Sequence, residues 1–116
     1  MTVAVAVPDS PEGAAAMSAA LDEARRRGTD LLVLNLALAP LDGDGLPADV
    51  TVDVRERAGH ADPADWVLVT LDEHAGKVEL LVIGMKRRTP VGKALLGSVS
   101  QRLLLEADVP VLAVKR

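Results

Sequence analysis

Three stretches of this chain, residues 3–7, 31–38 and 78–83, are apolar at nearly every position, with Glu79 the one charged side chain among them. A strand with one wet face alternates polar and apolar residues. A strand apolar throughout belongs in a sheet covered on both sides, which is the condition of parallel strands linked by helices. The segments between the runs fit that demand. Ser10-Pro11 supplies an N-cap and a first helical residue, and a helix is predicted from there to about Arg27, with Ala14, Met17, Ala20, Leu21 and Ala24 on one face. Arg25, Arg26 and Arg27 complement its dipole, and Gly28 is the stop.

A second helix opens at Asp62-Pro63 and is expected to reach Ala75, before Gly76. A third is expected over 98–107, opened by a capping-box pattern of Ser98 with Gln101. Two weaker strands are expected at 51–54 and 109–114, the latter with Pro110 near its start, where an edge strand tolerates it. Residues 39–50, rich in Pro, Gly and Asp, read as loop. The order β-α-β-loop-β-α-β-α-β describes a doubly wound α/β domain with five mostly parallel strands, and residues 1–116 are expected to form one domain.

Composition narrows the classes. The chain is 49% hydrophobic, but that content is Ala, Val and Leu, with one Trp and no Phe or Tyr, which suits close helix–sheet packing. There is no Cys, so disulfides, thiol catalysis and Cys-ligated metals are excluded. No apolar stretch approaches the roughly 20 residues that span a bilayer, and the N-terminus lacks a signal-peptide layout. The expected compartment is the cytoplasm, with no membrane partner. The net charge of −4 and a pI of about 5.1 argue against general nucleic-acid binding, which needs an extended basic face.

Within this acidic chain, residues 80–105 contain no acid, yet hold Lys86, Arg87, Arg88, Lys93 and Arg102. The stretch leaves a buried strand and enters a helix through Gly84, Gly97, Ser98, Val99 and Ser100. Glycines, unpaired amides at a helix start and local positive charge are what a phosphate needs. The same Gly97-Ser98 pair also suits an ordinary turn with an N-cap.

These residues resemble the nucleotide signature of the universal stress protein family: glycine, two residues, glycine, nine residues, then glycine followed by Ser or Thr. Gly84 takes the first position, Gly97 the third and Ser98 the hydroxyl. The run Ala107-Asp108-Val109-Pro110-Val111-Leu112 is similar to the family's C-terminal strand, and the resemblance extends, more diffusely, over nearly the whole chain. It implies a Rossmann-like, adenine nucleotide alpha hydrolase-like domain with strand order 3-2-1-4-5. It also implies ATP or another adenine nucleotide as ligand, with Mg²⁺ as a companion, and a homodimer paired through the C-terminal strand. The chain departs from the family in three places. Arg87 replaces the second glycine, Pro8 stands where ATP-binding members carry an Asp, and the 39–50 loop replaces the helix between strands two and three.

The resemblance assigns the nucleotide site to Pro8, Asp9, Ser10, Gly84, Arg87, Gly97, Ser98, Val99 and Ser100. In that site Gly84 and Gly97 would let the backbone approach phosphate oxygens, and the hydroxyls of Ser98 and Ser100 can donate to them. Arg87, Arg88 and Lys93 can neutralise the charge, while Arg87 equally suits a solvated loop charge or a filler of the glycine's space. Asp9 suits Mg²⁺, a ribose hydroxyl, or a plain turn before Ser-Pro. Asp42-Gly-Asp44-Gly resembles the start of a calcium loop but lacks its sixth-position Gly, so a solvated acidic loop is the better account. His60 and His74 have no metal-ligand spacing, and His74 suits a helix C-terminus. Trp66 fits core or interface better than a ligand platform.

No catalytic constellation stands out, and an enzyme is the weakest reading. A phosphoacceptor receiver domain is set aside, because Pro8-Asp9 and Arg55-Glu56-Arg57 do not supply its acidic residues. Two readings remain: a stress-response domain sensing an adenine nucleotide without substantial catalysis, and a nucleotide-free dimeric interaction module of the same family.

Overall fold

The structure is a computed structural model that describes residues 1–41, 46–86 and 96–115. In chain order the elements are β1 (Thr2–Val7), α1 (Pro11–Arg27), β2 (Asp30–Asn35), β3 (Val52–Glu56), α2 (Pro63–Glu73), β4 (Val78–Met85), α3 (Ser98–Glu106) and β5 (Val111–Lys115). The five strands form one sheet in the order β3-β2-β1-β4-β5, and every neighbouring pair is parallel.

The apolar runs divide their side chains between the two faces with the two-residue period of a strand. Val3, Val5, Val7, Leu31, Val33, Leu80 and Val82 pack under α1. Ala4, Ala6, Leu32, Leu34, Leu81 and Ile83 pack under α2 and α3 with Val67, Leu71 and Leu103. Trp66 is part of that second layer, half-buried against it.

Helix α1 starts and stops as its sequence demands. Ser10 is the N-cap, its side chain accepting from Gly13 N at 3.4 Å, and Gly28 closes the helix in the left-handed region at φ 64°. Its buried face is Gly13, Ala16, Ala20 and Ala24, rotated from the expected one; Ala14 is exposed, and Met17 and Leu21 lie at the rim. The smallest side chains face the sheet because the helix comes so close. A Cβ on Gly13 would overlap the Pro8 carbonyl oxygen, and one on Gly84 would overlap the Glu12 carbonyl oxygen.

Four further expectations need correction. Strand β2 stops at Asn35 instead of running to residue 38, because the Asn35 carboxamide accepts from Ala37 N at 3.0 Å and turns the chain out of the sheet. Helix α2 ends at Glu73, with His74 as its cap and Gly76 at φ 83° in the turn that follows. The capping box at Ser98 does not form. Gly97 is the N-cap, without a side-chain cap bond, Ser98 is already helical, and Gln101 N donates to Gly97 O at 2.9 Å. Strand β5 begins at Val111, after Pro110, whose carbonyl accepts from Leu81 N at 2.9 Å.

Between β2 and β3 the described residues contain no helix, as the sequence suggested. Buried Val50 and half-buried Leu41 take its place, packing into the α1-side cluster beside Val52 and Val54 of β3. Arg25 pins this crossover from the helix, donating to Asp49 at 2.8 Å and holding the Asp49 carboxyl below its ordinary pKa.

The glycine contacts predict an asymmetry. We expect Gly84→Ala to lower unfolding free energy by about 2 kcal/mol or more, since backbone must move to relieve the overlap. Gly97→Ala places its Cβ in ordinary contact, 3.6 Å from Lys86 Cε, at an unstrained φ of −68°, and should cost well under 1 kcal/mol. Urea denaturation of both variants checks this.

Candidate functional site

The strand order reverses between β1 and β4, so the two connections leave the sheet in opposite directions and open a crevice beyond the carboxyl ends. Two adjoining cavities occupy it. The first, of about 330 Å³, lies between α1 and the strap leaving β2, and includes Gly13, Ala14, Met17, Asn35, Ala37 and Leu41 in its wall. The second, of about 280 Å³, is lined by Glu12, Gly84, Lys86 and residues 97–100. Pro8 and Ser10 line both.

Of the residues the sequence singled out, Pro8, Ser10, Gly84, Gly97, Ser98, Val99 and Ser100 come together in the second cavity. Asp9 is exposed and lines the first instead. It sits in the middle of a tight turn closed by Ser10 N to Pro8 O at 2.9 Å. Arg87, Arg88 and Lys93 lie outside the described residues, as does the Asp42-to-Gly45 stretch.

Several of these groups are already engaged by the fold. Ser10's side chain caps α1. Gly84 has no side chain because the first turn of α1 fills that space, so packing alone requires the glycine there. The Ser100 hydroxyl donates to Gly84 O at 3.1 Å, and its one hydrogen is thereby spent on joining the end of β4 to the first turn of α3. It cannot donate to phosphate while that bond stands. What α3 does offer is its start: a glycine N-cap with no side chain over the first-turn amides, and the exposed Ser98.

Two residues of this cavity escaped the motif. Lys86 continues past β4, and its stem passes the Gly97 N-cap, which places a cation near the amides at the α3 start. Glu12 contributes a carboxylate-bearing side chain from the first turn of α1. On the first cavity, the residue missed was Asn35, 1% exposed, its only signal an amide inside an otherwise apolar run. His60 and Trp66 line neither cavity, and His74 is held at the end of α2, its Nδ1 2.8 Å from Thr70 O.

The family model that matches this chain is that of the universal stress protein family, over residues 44–115. A universal stress protein of Mycolicibacterium smegmatis is 39% identical over 132 aligned positions, covering 97% of this chain and 96% of the relative. The chain belongs to the universal stress protein family. Among solved structures, the universal stress protein of Archaeoglobus fulgidus superposes with a TM-score of 0.73 at 25% identity, covering 99% of this chain and 98% of that one. A second structure from that organism, a complex with dAMP, shares the fold at a TM-score of 0.69 and 23% identity, covering 99% of this chain and 98% of that one. The five-stranded order seen here is therefore the universal stress protein architecture, retained with a helixless crossover among the described residues.

The hydroxyl assignments separate cleanly in stability. We expect Ser100→Ala to cost about 1 kcal/mol, from a lost bond to a buried carbonyl, and Ser98→Ala to be neutral within about 0.5 kcal/mol. Thermal melts of both variants without ligand are the measurement.

Proposed function

We propose that this universal stress protein domain, taken as residues 1–116, holds an adenine nucleotide across the two cavities and acts as a cytoplasmic sensor without substantial catalysis. The observation that carries this reading is the pairing of unlike cavities at one switch point. One is walled by small and apolar side chains, suited to a flat base. The other is lined by the uncapped start of α3 and by Lys86, suited to phosphate. The dAMP held by the Archaeoglobus relative supports the same ligand class.

The nucleotide-site residues would be Pro8, Asp9, Ser10, Gly84, Gly97, Ser98, Val99 and Ser100, together with Arg87, which lies outside the described residues, and with Lys86 added by the geometry. Their roles are unequal: the α3 amides and Lys86 contact phosphate, whereas Gly84 and Ser100 hold the wall in place. ATP would bring Mg²⁺ as its own counterion. The described residues offer no group of three or more His, Asp or Glu able to hold a metal, so Mg²⁺ has no protein-built seat in this reading.

Two observations favour the alternative of a nucleotide-free dimeric module. Pro8 brings no carboxylate to the crevice, and β5 is an outer strand whose free edge carries Leu112, 36% exposed. In that reading a second copy pairs along β5.

Calorimetric titration of ATP, with and without Mg²⁺, into the protein and into Gly97→Val separates the two. We expect a micromolar Kd that weakens at least about tenfold in the variant, whose new side chain would meet Lys86 and cover the α3 amides. No heat at millimolar ATP would overturn the sensor reading. A dimer by sedimentation in that event would establish the module.

A further inference from the structure

The strap of residues 36–41 has no regular secondary structure, yet its backbone is pinned by three side chains at the ends of β2 and β3. Asn35, at the end of β2, donates from Nδ2 to Ala39 O at 2.9 Å and to Glu56 Oε2 at 2.6 Å. Its Oδ1 accepts from Ala37 N at 3.0 Å. Glu56, the last residue of β3, accepts from Leu41 N through its other oxygen at 3.4 Å. Arg57 donates from Nε and Nη2 to Leu36 O at 3.1 and 2.9 Å, and from Nη1 to Ala61 O at 2.6 Å. Leu36 N is in turn held by Val7 O at 2.9 Å.

The bonded groups fall at nearly every step along the strap: Leu36 N and O, Ala37 N, Ala39 O and Leu41 N. A helical crossover would satisfy such groups internally. Here the ends of β1, β2 and β3 satisfy them, and three of the bonds involve the ionised side chains of Glu56 and Arg57, the stronger kind. The strap is also the wall of the 330 Å³ cavity that faces α1, through Ala37, Ala39, Pro40 and Leu41. Nothing in the network reaches the second cavity, whose lining comes from the 8–10 turn, α1, the end of β4 and the start of α3.

From this geometry we infer that Asn35, Glu56 and Arg57 are positioning residues that set how the site grips the base end of its ligand, leaving the phosphate end to other elements. The inference rests on the nucleotide reading above. It divides the site's energetics into two separately adjustable halves. Loosening the network widens the slot between strap and α1, and the base loses its fixed wall. The α3 amides and Lys86 are untouched. Asn35 is buried, so a substitution there must also leave the carboxamide's partners unpaired. Arg57 and Glu56 are nearer the surface and can be changed with less risk to folding.

The test compares AMP with inorganic pyrophosphate, a ligand without a base, by calorimetry on the full chain. The variants are Asn35→Leu, Arg57→Leu and the conservative Glu56→Gln, which keeps an acceptor for Asn35. We expect AMP affinity to fall at least about tenfold in the two leucine variants and pyrophosphate affinity to stay within about twofold, with Glu56→Gln, which can keep the Asn35 bond but not the Leu41 one as well, weakening AMP less than either leucine variant. Amide hydrogen exchange without ligand adds a structural readout: Ala37 and Leu41 should exchange faster in Asn35→Leu than in the parent. AMP and pyrophosphate weakening together in a folded variant, or AMP unchanged in Arg57→Leu, would overturn the inference while leaving nucleotide binding intact. A parent protein that binds neither ligand would overturn both readings. If Asn35→Leu does not fold, Arg57→Leu decides the matter.

Discussion

Everything at the crevice depends on how closely the first turn of α1 lies on the ends of β1 and β4. Backbone meets backbone there, with Gly13 against Pro8 and Gly84 against Glu12, and no side chain separates them. That contact fixes where the 8–10 turn sits, and with it the partition between the two cavities. It also carries the end of β4 to the position where Gly84 O receives the Ser100 hydroxyl, which sets the start of α3. A helix start aimed at a crevice is useful only if its distance from the opposite wall is fixed. Interiors packed at crystal-like density provide that rigidity, because such contacts do not deform gradually.

Much of this architecture was legible in the chain. Apolar runs at 3–7 and 78–83 located inner strands, and Ser10-Pro11 with Gly28 bounded α1 closely. Gly84 and Gly97 were visible as special positions, but the physical reason differs between them. One is excluded from having a Cβ by a neighbouring helix; the other is the open cap of a helix. A spacing motif cannot distinguish these, since it records residue type and not the direction of the missing Cβ. The Ser98–Gln101 pattern misled by one residue, because a capping box depends on which residue first takes helical dihedrals. The rotated face of α1 has a similar origin. Small residues at 13, 16, 20 and 24 won the sheet side over Met17 and Leu21 through proximity, a tertiary effect with no local signature.

The network on the strap was not legible, and the cause is separation along the chain. Asn35 and Glu56 meet across 21 residues, as do Leu36 and Arg57. Read singly, Asn35 blends into an apolar run and Glu56-Arg57 looks like surface charge. Parallel pairing of β2 with β3 puts Asn35 beside Glu56 in register, and only then does the amide find its acceptor. The helixless course of the described crossover residues, which the sequence suggested, is thus coupled to a compensation that it hid.

The aromatic content has a different consequence. Trp66 is the single Trp in a chain without Phe or Tyr, and it lies half-buried in the α2–α3 layer. Its emission therefore views one side of the sheet only. A melt followed by fluorescence tracks the detachment of that layer, while circular dichroism averages α1 with α2 and α3. Coincident curves would mean that both layers come off the sheet as one cooperative unit, and divergent curves would show that one layer opens before the other.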